Sequence, residues 1–515
     1  MQNPQLNSDH TKLDVASFIT HIPRQRDFLI EAMHCIHDAF GCITRNHLAF
    51  LTNEFQVSKA ETFEVAAFYD HFQIDHPQNA IALCMGPACR MAGAEAIYLN
   101  LHSQGSKPSE APCLGACNLA PAAMFNNSRF APFIKLDSEA KGEKKPINLT
   151  SQSLTLPVPL SAEQILAALE SAELRGFGGA GFPTAAKWRS VIAAEGKPYV
   201  VVNADEGEPG AFKDRYCLEQ APEKVLTGAL VAASVVGAQA IYFYIRNEYY
   251  DLIDKLISVA ETLVAFYPGI TFHWRRGAGS YVCGEETALL ESIEGRPAIP
   301  RHKPPYPAQN GLFGMPTLVN NVETFYWVYE VLANGPQWFA DQGLRGEKGV
   351  RLYSVSGRVS KPGVFHAPIG ITLAELIEDY CGGMAADHTL QAYFPGGASG
   401  GVLPASLADI PMSYRALENF GASLGSASVI VLSQHDNVQD VVTQFMKFFS
   451  LESCGQCAPC RLGTVEASSL LTQPSLDLRQ SNNLAELMEI ASICGLGQGA
   501  GRLLMTYVKH FFGGK

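Results

Sequence analysis

A group of three cysteines near the C terminus constrains this chain more than any other feature. Cys454, Cys457 and Cys460 are each separated by two residues, and Cys494 follows in a later segment. Thiolates at this spacing wrap three corners of one cubane and leave the fourth iron to a cysteine from elsewhere. The four residues therefore predict a [4Fe-4S] cluster. A structural zinc site is the alternative, although such sites more often pair two separate C-x-x-C knuckles.

A second cysteine group lies in the first quarter of the chain. Two pairs, with four and three intervening residues, are separated by 23 residues; they are Cys84, Cys89, Cys113 and Cys117. Four thiolates suit either a [2Fe-2S] cluster or zinc, and the spacing alone leaves both open. The remaining cysteines are isolated and are interpreted as small buried apolar residues. They are Cys35, Cys42, Cys217, Cys283 and Cys381.

Length and charge bound the class of protein. A chain of 515 residues exceeds one ordinary core, so several domains are expected. With 38 Lys and Arg against 50 Asp and Glu, the net charge is −12, which offers no basic footprint for nucleic acid. Clustered cysteines favour a reducing compartment, and the N terminus lacks the order of a secretory signal. We expect a cytoplasmic protein.

One uncharged stretch, residues 225–245, is nominally long enough to cross a bilayer. Its first half is rich in Ala, Gly, Ser and Thr and is only weakly hydrophobic. Gly237 then stands where a helix would end, before the strand-like run AIYFYI. The stretch predicts a buried helix followed by a buried strand, and no membrane insertion.

The pattern along the chain changes four times. Helical spacing of Leu29, Met33, Ile36 and Phe40 precedes Gly41, a plausible helix stop. Strand-like runs ending in cysteine loops follow, then a polar, Pro-containing segment, then alternating strand and helix signals. Short β runs with Gly-rich turns, in which no chemical motif is visible, lead into a final helical region. The predicted divisions are 1–135, a linker at 136–160, 161–345, 346–436 and 437–515.

Two motifs in the alternating region predict a nucleotide site. RGFGGAGFPTAAKW, residues 175–188, places four glycines before a helix, where backbone amides can face a phosphate or a ring. NADEGEPGAFKDR, residues 203–215, follows the strand YVVV, at the end where an α/β sheet usually binds its ligand. A tight turn and a solvated acidic loop are the alternatives. Glu285 with Glu286 and Asn320 with Asn321 add polar clusters in apolar surroundings, which favours a site.

Five segments appear in the order found in one known family. GGAGFPTAAKW, NADEGEPGAFKDR, YVCGEETALLESIEGRP, KPPYPA with VNNVET, and SCGQCAPCRLGT resemble the NADH-binding, FMN-carrying subunit of NADH:quinone oxidoreductase and its soluble relatives. The resemblance runs from about residue 160 to the end. Residues 15–128 resemble the small thioredoxin-like [2Fe-2S] subunit of the same enzymes, through FYDHF, CMGPAC and CLGACNLAP.

The resemblance implies an α/β multidomain fold. Its parts would be a thioredoxin-like domain, a Rossmann-like FMN domain, a ubiquitin-like β-grasp domain and a C-terminal helical bundle holding the [4Fe-4S] cluster. It also favours [2Fe-2S] over zinc for the N-terminal cysteines. The gap between those two cysteine pairs is shorter than the family usually has, which puts the cluster's shielding in question.

The resemblance also assigns site residues. Those expected to hold FMN are Gly176, Gly178, Lys187, Asn203, Asp205, Tyr281, Gly284, Asn320 and Asn321. Those expected to line the NAD side are Phe182, Glu206, Glu208, Glu285, Lys303 and Tyr306. Two positions depart from the family: Phe177 replaces an Arg, and Ser190 stands where a second stacking aromatic is expected. No catalytic acid or base is expected, because the cofactors carry the chemistry.

Fusions of these two subunits are found in NAD-dependent molybdenum formate dehydrogenases and in NAD-reducing hydrogenases. Residues 392–412, AYFPGGASGGVLPASLADIPM, look most like the formate dehydrogenase β subunit. That likeness implies electron flow from formate through clusters and FMN to NAD. The partners would be a small [2Fe-2S] subunit and a molybdenum-containing catalytic subunit. The alternatives are the diaphorase subunit of a hydrogenase and a flavin-free electron-transfer scaffold.

Overall fold

The computed structural model describes residues 15–76, 81–125, 128–133 and 160–512. Nearly all of the predicted linker, apart from residue 160, lies outside this part of the chain. The chain begins with helices α1 Val15–Phe18, α2 Leu29–Phe40, α3 Arg45–Phe55 and α4 Lys59–Phe68. Helix α2 ends at Gly41, whose φ of 74° is left-handed, as its position predicted. The ion pair of Asp27 with Arg275, at 3.1 Å, ties these helices to a later sheet.

The first sheet positions the N-terminal cysteines. Its elements are β1 Ile81–Cys84, α5 Pro87–Met91, α6 Ala94–Ser103, β2 Ser109–Ala111, β3 Ala123–Phe125 and β4 Ser128–Phe130. The strand order is β2-β1-β3-β4, with β2 parallel to β1 and the other pairs antiparallel. Cys84 ends β1 and Cys89 lies on α5, while Cys113 and Cys117 follow β2. Because β1 and β2 run in parallel, both cysteine pairs emerge at one edge.

The second sheet is entirely parallel, as the alternating strand and helix signals predicted. Its strands, in the order β7-β6-β5-β8, are β5 Tyr199–Ala204, β6 Ala240–Ile245, β7 Thr271–Arg276 and β8 Thr317–Asn321. The accompanying helices are α7 Ala162–Ser171, α8 Thr184–Ile192, α9 Lys213–Gln220, α10 Pro222–Val236, α11 Ile253–Val264, α12 Glu286–Ile293, α13 Val322–Asn334 and α14 Pro336–Ala340.

The uncharged stretch 225–245 folds as predicted. It contributes most of α10, which is buried on nearly every side, then Gly237 with φ 77°, then β6. Within the described residues, every helix is too short or too polar to traverse a bilayer.

A third sheet follows, with the order β10-β9-β13-β11-β12. Its elements are β9 Val350–Gly357, β10 Gly363–Pro368, α15 Leu373–Glu375, β11 Leu390–Phe394, β12 Leu403–Pro404, α16 Tyr414–Glu418 and β13 Ser428–Ser433. Strands β9 and β13 are parallel at its centre, and the outer pairs are antiparallel. Ser428 donates from Oγ to the carbonyl oxygen of Pro209 at 3.1 Å, so this sheet packs against the acidic loop after β5.

The C-terminal region consists of four helices: α17 Val438–Leu451, α18 Ala458–Leu471, α19 Leu478–Ala491 and α20 Gly495–Phe511. Helix α20 also packs on the third sheet. The backbone N–H of Val402 donates to Thr506 Oγ1 at 3.0 Å, and a Cβ added to Gly499 would lie 2.7 Å from that of Ser399. The glycines of α20 thus permit a close approach that brings the Cys494 turn towards the second sheet.

Candidate functional site

A cavity of about 960 Å³ opens at the carboxyl end of the parallel sheet. The chain adds β6 and β7 on one side of β5 and then returns to place β8 on the other. Ligands of open α/β sheets bind outside the strand ends at such a reversal of strand order. Asn203 at the end of β5 and Asn321 at the end of β8 are partners in register there. The fold therefore places the NADE and VNN motifs side by side.

All fifteen residues predicted to hold FMN or NAD line this cavity or the adjoining one. Eleven line the large cavity, and the other four line a neighbouring cavity of about 430 Å³; the four are Asp205, Glu206, Glu208 and Tyr281. The two cavities share part of their walls, including Asn203, Gly284 and Asn321. The structure thus brings the predicted residues together in one connected site.

The glycine-rich loop forms one wall. The N–H of Gly176 donates to the carbonyl oxygen of Phe182 at 2.8 Å, which closes the loop before α8. A Cβ on Gly178 would lie 3.2 Å from Cβ of Asn321, closer than the wall tolerates without a shift. Glycine there lets the backbone lie flat against a ligand. The loop has the form expected of a cradle for a ring or a phosphate.

Phe177 and Ser190, the two departures from the family, lie in different surroundings. Phe177 is 2% exposed and lines neither cavity; its ring lies 5.3 Å from the guanidinium of Arg351. The aromatic side chain therefore packs in the core, where a cation is supplied by Arg351 instead. Ser190 does line the large cavity, and its Oγ donates to the carbonyl oxygen of Ala186 at 2.9 Å.

The asparagines shape the floor of the site. Asn203 donates from Nδ2 to the carbonyl oxygen of Gly284 at 2.9 Å, which joins β5 to the turn before α12. Asn321 caps α13 through Thr324 and donates from Nδ2 to Asp214 at 3.0 Å. Each amide is therefore held by the protein and cannot swing freely.

Asp205 lies between the two cavities with one oxygen unused. Its Oδ2 is buried and has no hydrogen-bond partner among the described protein atoms. Burial raises its pKa to about 8; Arg246 opposes the shift, while Glu248 and Glu452 add to it. A carboxyl group in this state is a hydrogen-bond donor at neutral pH. It is an orphaned polar group that a ligand can satisfy.

Two lysines and two glutamates form a charged network at the mouth of the large cavity. Lys303 Nζ lies 2.8 Å from Glu285 Oε1 and 3.0 Å from Glu286 Oε1, and Lys187 Nζ lies 2.8 Å from Glu286 Oε2. Although burial opposes ionisation, Lys187 and Lys303 lower the pKa of Glu286 to about 2. Glu285 also caps α12 by accepting from the N–H groups of Thr287 and Ala288. The network fixes alternating charges where a charged ligand would enter.

Glu206 and Glu208 are engaged by the protein more than the sequence indicates. Glu206 accepts from the N–H groups of Asp214 and Arg215 and from the hydroxyl of Tyr249. Glu208 accepts from Ser399 N–H at 2.9 Å and from Tyr281 Oη at 2.7 Å. Their first effect is therefore to hold the acidic loop against α9 and the third sheet.

Two aromatic side chains stand exposed at the rim of the large cavity. Phe182 is 55% exposed and Tyr306 is 54% exposed, although both are large and apolar. Flat aromatic surface beside a cavity is suited to stacking against a base or a nicotinamide ring.

Sequence reasoning missed part of the wall. Lys213 and Asp214, in the same motif as Asp205, line the smaller cavity and form a buried ion pair at 2.7 Å. The expectation that residues 350–435 lack a chemical role was wrong, because Ser399, Tyr414 and Ser426 line that cavity. No local motif marks these residues; they reach the site only because the third sheet docks on the acidic loop.

The C-terminal cysteines gather next to the site. Cys457 and Cys494 stand at the N-terminal caps of α18 and α20, where helix dipoles favour negative charge. Cys460 is buried, and Ser453 Oγ lies 3.3 Å from its sulfur. Cys494 also lines the smaller cavity, and the next residue, Gly495, lines both. The cysteine group and the nucleotide-type cavity therefore share a wall.

The N-terminal cysteines are all buried. The sulfurs of Cys113 and Cys117 lie 3.6 Å apart, a separation that suits two ligands of one metal. Hydrogen bonds from the thiols of Cys117 and Cys84 hold the pKa of Cys113 well below its ordinary value. The donor set fits a buried metal centre.

The distances separate clusters from single zinc ions. All eight cysteines lie in the described part of the chain, and no three of their sulfurs fall within 4.8 Å of one another. Four thiolates around one zinc, with bonds of about 2.3 Å, would stand roughly 3.8 Å apart. Clusters spread their ligands over several irons, so the wider spacing fits iron–sulfur clusters at both groups.

Comparison with known families divides the chain in the same way. Residues 169–330 match the family of the Nuo51 FMN-binding domain, and 440–513 match the NADH-ubiquinone oxidoreductase-F iron-sulfur binding region. Residues 15–137 match the thioredoxin-like [2Fe-2S] ferredoxin, and 352–403 match the SLBB domain. The predictions of FMN, NAD, [4Fe-4S] and [2Fe-2S] cofactors are thereby confirmed at the level of domains.

Individual relatives agree. One F-type chain of NADH-quinone oxidoreductase from Rhizobium meliloti (strain 1021) is 40% identical over 366 residues, which cover 68% of this chain and 87% of the relative. The corresponding chain of Aquifex aeolicus (strain VF5) is 38% identical over 376 residues, covering 70% and 87%. A crystal structure of NAD+-reducing [NiFe]-hydrogenase in the H2-reduced state contains a chain with a TM-score of 0.82 at 30% identity, covering 95% of this chain and 92% of that one. The chain belongs to the family of F-type chains of NADH-quinone oxidoreductase.

Proposed function

We propose that this chain is the NAD-handling flavin and iron–sulfur subunit of a multisubunit oxidoreductase. One observation carries the proposal: Cys494 and Gly495 line the same connected cavities as the glycine loop and the asparagines of the parallel sheet. A flavin held there would lie beside the ligands of a cluster. Bound FMN supplies the exchange between two-electron hydride transfer and one-electron transfer.

The residues of the chain orient the cofactors. We assign Gly176, Gly178 and the asparagines Asn203, Asn320 and Asn321 to the flavin, because the glycines open the wall and each asparagine is held by a protein hydrogen bond. Asp205 offers its unpartnered oxygen to the same ligand. The remaining flavin contacts are assigned to Lys187, Tyr281 and Gly284.

The dinucleotide is assigned to the rim. Phe182 and Tyr306 would stack against its rings, and the paired charges of Glu285 and Lys303 would set its orientation. Glu206 and Glu208 hold the loop that separates the two cavities. None of these residues needs to transfer a proton, because a hydride passes between the cofactors.

The domain plan supports electron exchange with partners. We propose divisions at 1–135, 161–345, 346–436 and 437–515, with a β-grasp fold for the third sheet and a bundle for the last four helices. Cys454, Cys457, Cys460 and Cys494 would hold the [4Fe-4S] cluster, and Cys84, Cys89, Cys113 and Cys117 the [2Fe-2S] cluster. The small [2Fe-2S] subunit and the catalytic subunit would receive or supply electrons.

We further propose formate as the partner's substrate, oxidised at a molybdenum centre in another subunit. The likeness of residues 392–412 to formate dehydrogenase β subunits supports this choice. Hydrogen is the second candidate, and the likeness to NAD+-reducing hydrogenase over 95% of the chain favours it.

The test is NAD+ reduction by the complex purified through this chain from its native host, under anaerobic conditions. Formate and hydrogen are offered separately. Reduction with formate alone is the expected result. Reduction with hydrogen alone would overturn the choice of formate while leaving the flavin assignment intact.

A further inference from the structure

Three histidines cluster at a third cavity, of about 600 Å³, that the proposed function does not use. His34 and His37 lie on α2, and His71 follows α4. The ring centroid of His71 lies 5.0 Å from that of His34 and 4.6 Å from that of His37. The side chains are only 3%, 3% and 6% exposed, in that order.

The ring nitrogens of this cluster lack partners. Both nitrogens of His34, both of His37 and Nε2 of His71 are buried without a hydrogen bond to any described protein atom. A neutral imidazole carries one donor and one acceptor, and burying either unsatisfied is costly. Five such atoms in one place point to a bound group. His37 and His71 both line the cavity into which that group would fit.

We propose that His37, Asp38 and His71 form a binding site for a divalent transition metal, zinc by its ligand set. Each residue offers a ligand atom, and these atoms lie within 4.8 Å of one another. Two imidazoles and a carboxylate are a donor set that zinc accepts, with water from the cavity completing a tetrahedron. Burial lowers the pKa of both histidines, which keeps the rings in the neutral, ligating form.

The neighbouring charges are compatible with a cation. Arg276 pairs with Asp38 at 2.5 Å, but a carboxylate has further lone pairs for a metal. Acidic side chains on other elements line the same cavity and offset the guanidinium; they are Asp70, Glu248 and Glu452. Arg276 thus orients the carboxylate in the way that outer hydrogen bonds commonly orient metal ligands.

The hydrogen bond of His71 defines what binding must change. Asn247 accepts from Arg276 through Oδ1, so its Nδ2 is the donor to His71 Nδ1 at 3.3 Å. Without metal, the proton of His71 therefore lies on Nε2. Ligation through Nε2 moves that proton to Nδ1 and gives up one long hydrogen bond. No net proton is released by this ring.

The site would join three parts of the chain. The segment of His71 is hydrogen-bonded to the end of β7, through Asp70 N–H to Gly279 and His71 N–H to Ala278, both at 3.1 Å. The opposite walls of the cavity carry Pro112 of the N-terminal cysteine loop and Tyr281 of the flavin site. A metal there would fasten α2 to this junction.

The test uses the full chain with its flavin and clusters, purified anaerobically, treated with EDTA and titrated with ZnCl2. Zinc and iron are counted together by mass spectrometry, and Zn K-edge absorption reports the ligands. We expect one zinc per chain with iron unchanged, and Zn–N or Zn–O distances of about 2.0 Å. His37→Gln and Asp38→Asn should each weaken zinc binding at least about tenfold. His21→Ala, at an exposed histidine, should leave it unchanged.

Three results would overturn the site. The first is no zinc bound by the intact chain. The second is Zn–S distances of about 2.3 Å with loss of iron, which would place zinc at the cysteines. The third is unchanged affinity in both variants. If His37→Gln does not fold, as judged by flavin and iron content, Asp38→Asn at the exposed ligand decides alone.

Discussion

Arg246 donates a hydrogen bond from Nη2 to the carbonyl oxygen of Cys113 at 2.8 Å. The same guanidinium donates from Nη1 to the carbonyl oxygen of Glu206 and pairs with Glu248 at 2.9 Å. Arg246 is buried, so its charge is poorly screened. One residue therefore joins the acidic loop of the nucleotide-type site to the loop that carries the N-terminal cysteines.

Replacing Arg246 should change the N-terminal cluster's potential. A buried cation stabilises the reduced, more negative cluster, so Arg246→Gln should lower the midpoint potential by an amount on the order of tens of millivolts. Redox titration followed by electron paramagnetic resonance measures it. Arg275→Gln, which removes a buried arginine paired with Asp27 on the N-terminal helices, is the control. Equal shifts in the two variants would contradict the account.

The aromatic rim should govern affinity for the dinucleotide. Because stacking on one ring contributes about 1–3 kcal/mol, Phe182→Ala and Tyr306→Ala should each raise KM for NADH about tenfold, with flavin content unchanged. NADH oxidation with an artificial acceptor gives KM. Phe266→Ala removes an aromatic of similar exposure at the end of α11 and should have no effect. Loss of flavin from the rim variants would show that the rings belong to the flavin site instead.

Glu286 should help to exclude NADP. Its charge neutralises Lys187 and Lys303, and its removal would leave two cations free to attract a 2′-phosphate. Glu286→Gln should therefore improve kcat/KM for NADPH relative to NADH by about tenfold. Glu291→Gln, on the same helix but paired with Arg301, serves as the control. An unchanged ratio would remove Glu286 from the specificity of the site.

Binding of FMN should depend on pH through Asp205. Its pKa of about 8 makes the carboxyl a neutral donor below that pH and an anion above it. Affinity should fall as pH rises, by about tenfold between pH 7 and pH 9 if bound FMN requires the protonated form. Quenching of flavin fluorescence measures the dissociation constant across this range.

Asp205→Asn keeps a donor that does not ionise, so its profile should be flat over the same range. Asp254→Asn, at an exposed position on α11, should follow the wild-type profile. Parallel profiles for wild type and Asp205→Asn would assign the pH dependence to another group.

The elements that sequence predicts well here are those with local signals. Gly237 marks the end of α10, and the run YVVVNA gives β5, because each signal lies within a few residues of its consequence. The cysteine groups and the glycine loop are found for the same reason. Their chemistry requires fixed spacing, and the spacing is visible in the chain.

Non-local packing explains what sequence misses. Ser399 and Tyr414 reach the smaller cavity only through docking of the third sheet, and the His37–His71 contact joins segments without a shared motif. Phe177 departs from its family, and only the core around Arg351 shows where its ring goes. Side-chain partners such as Tyr249 with Glu206 likewise depend on loops that meet in space.

The central claim is that flavin and cluster sites in this one chain exchange electrons with NADH. The most direct measurement is anaerobic addition of NADH to the purified chain, with flavin, iron and paramagnetic resonance recorded together. We predict one FMN and about six irons per chain, from one [4Fe-4S] and one [2Fe-2S] cluster, with bleaching of the flavin and a reduced-cluster signal on NADH addition. A chain that binds no flavin after reconstitution, or whose clusters stay oxidised with NADH, would contradict the account.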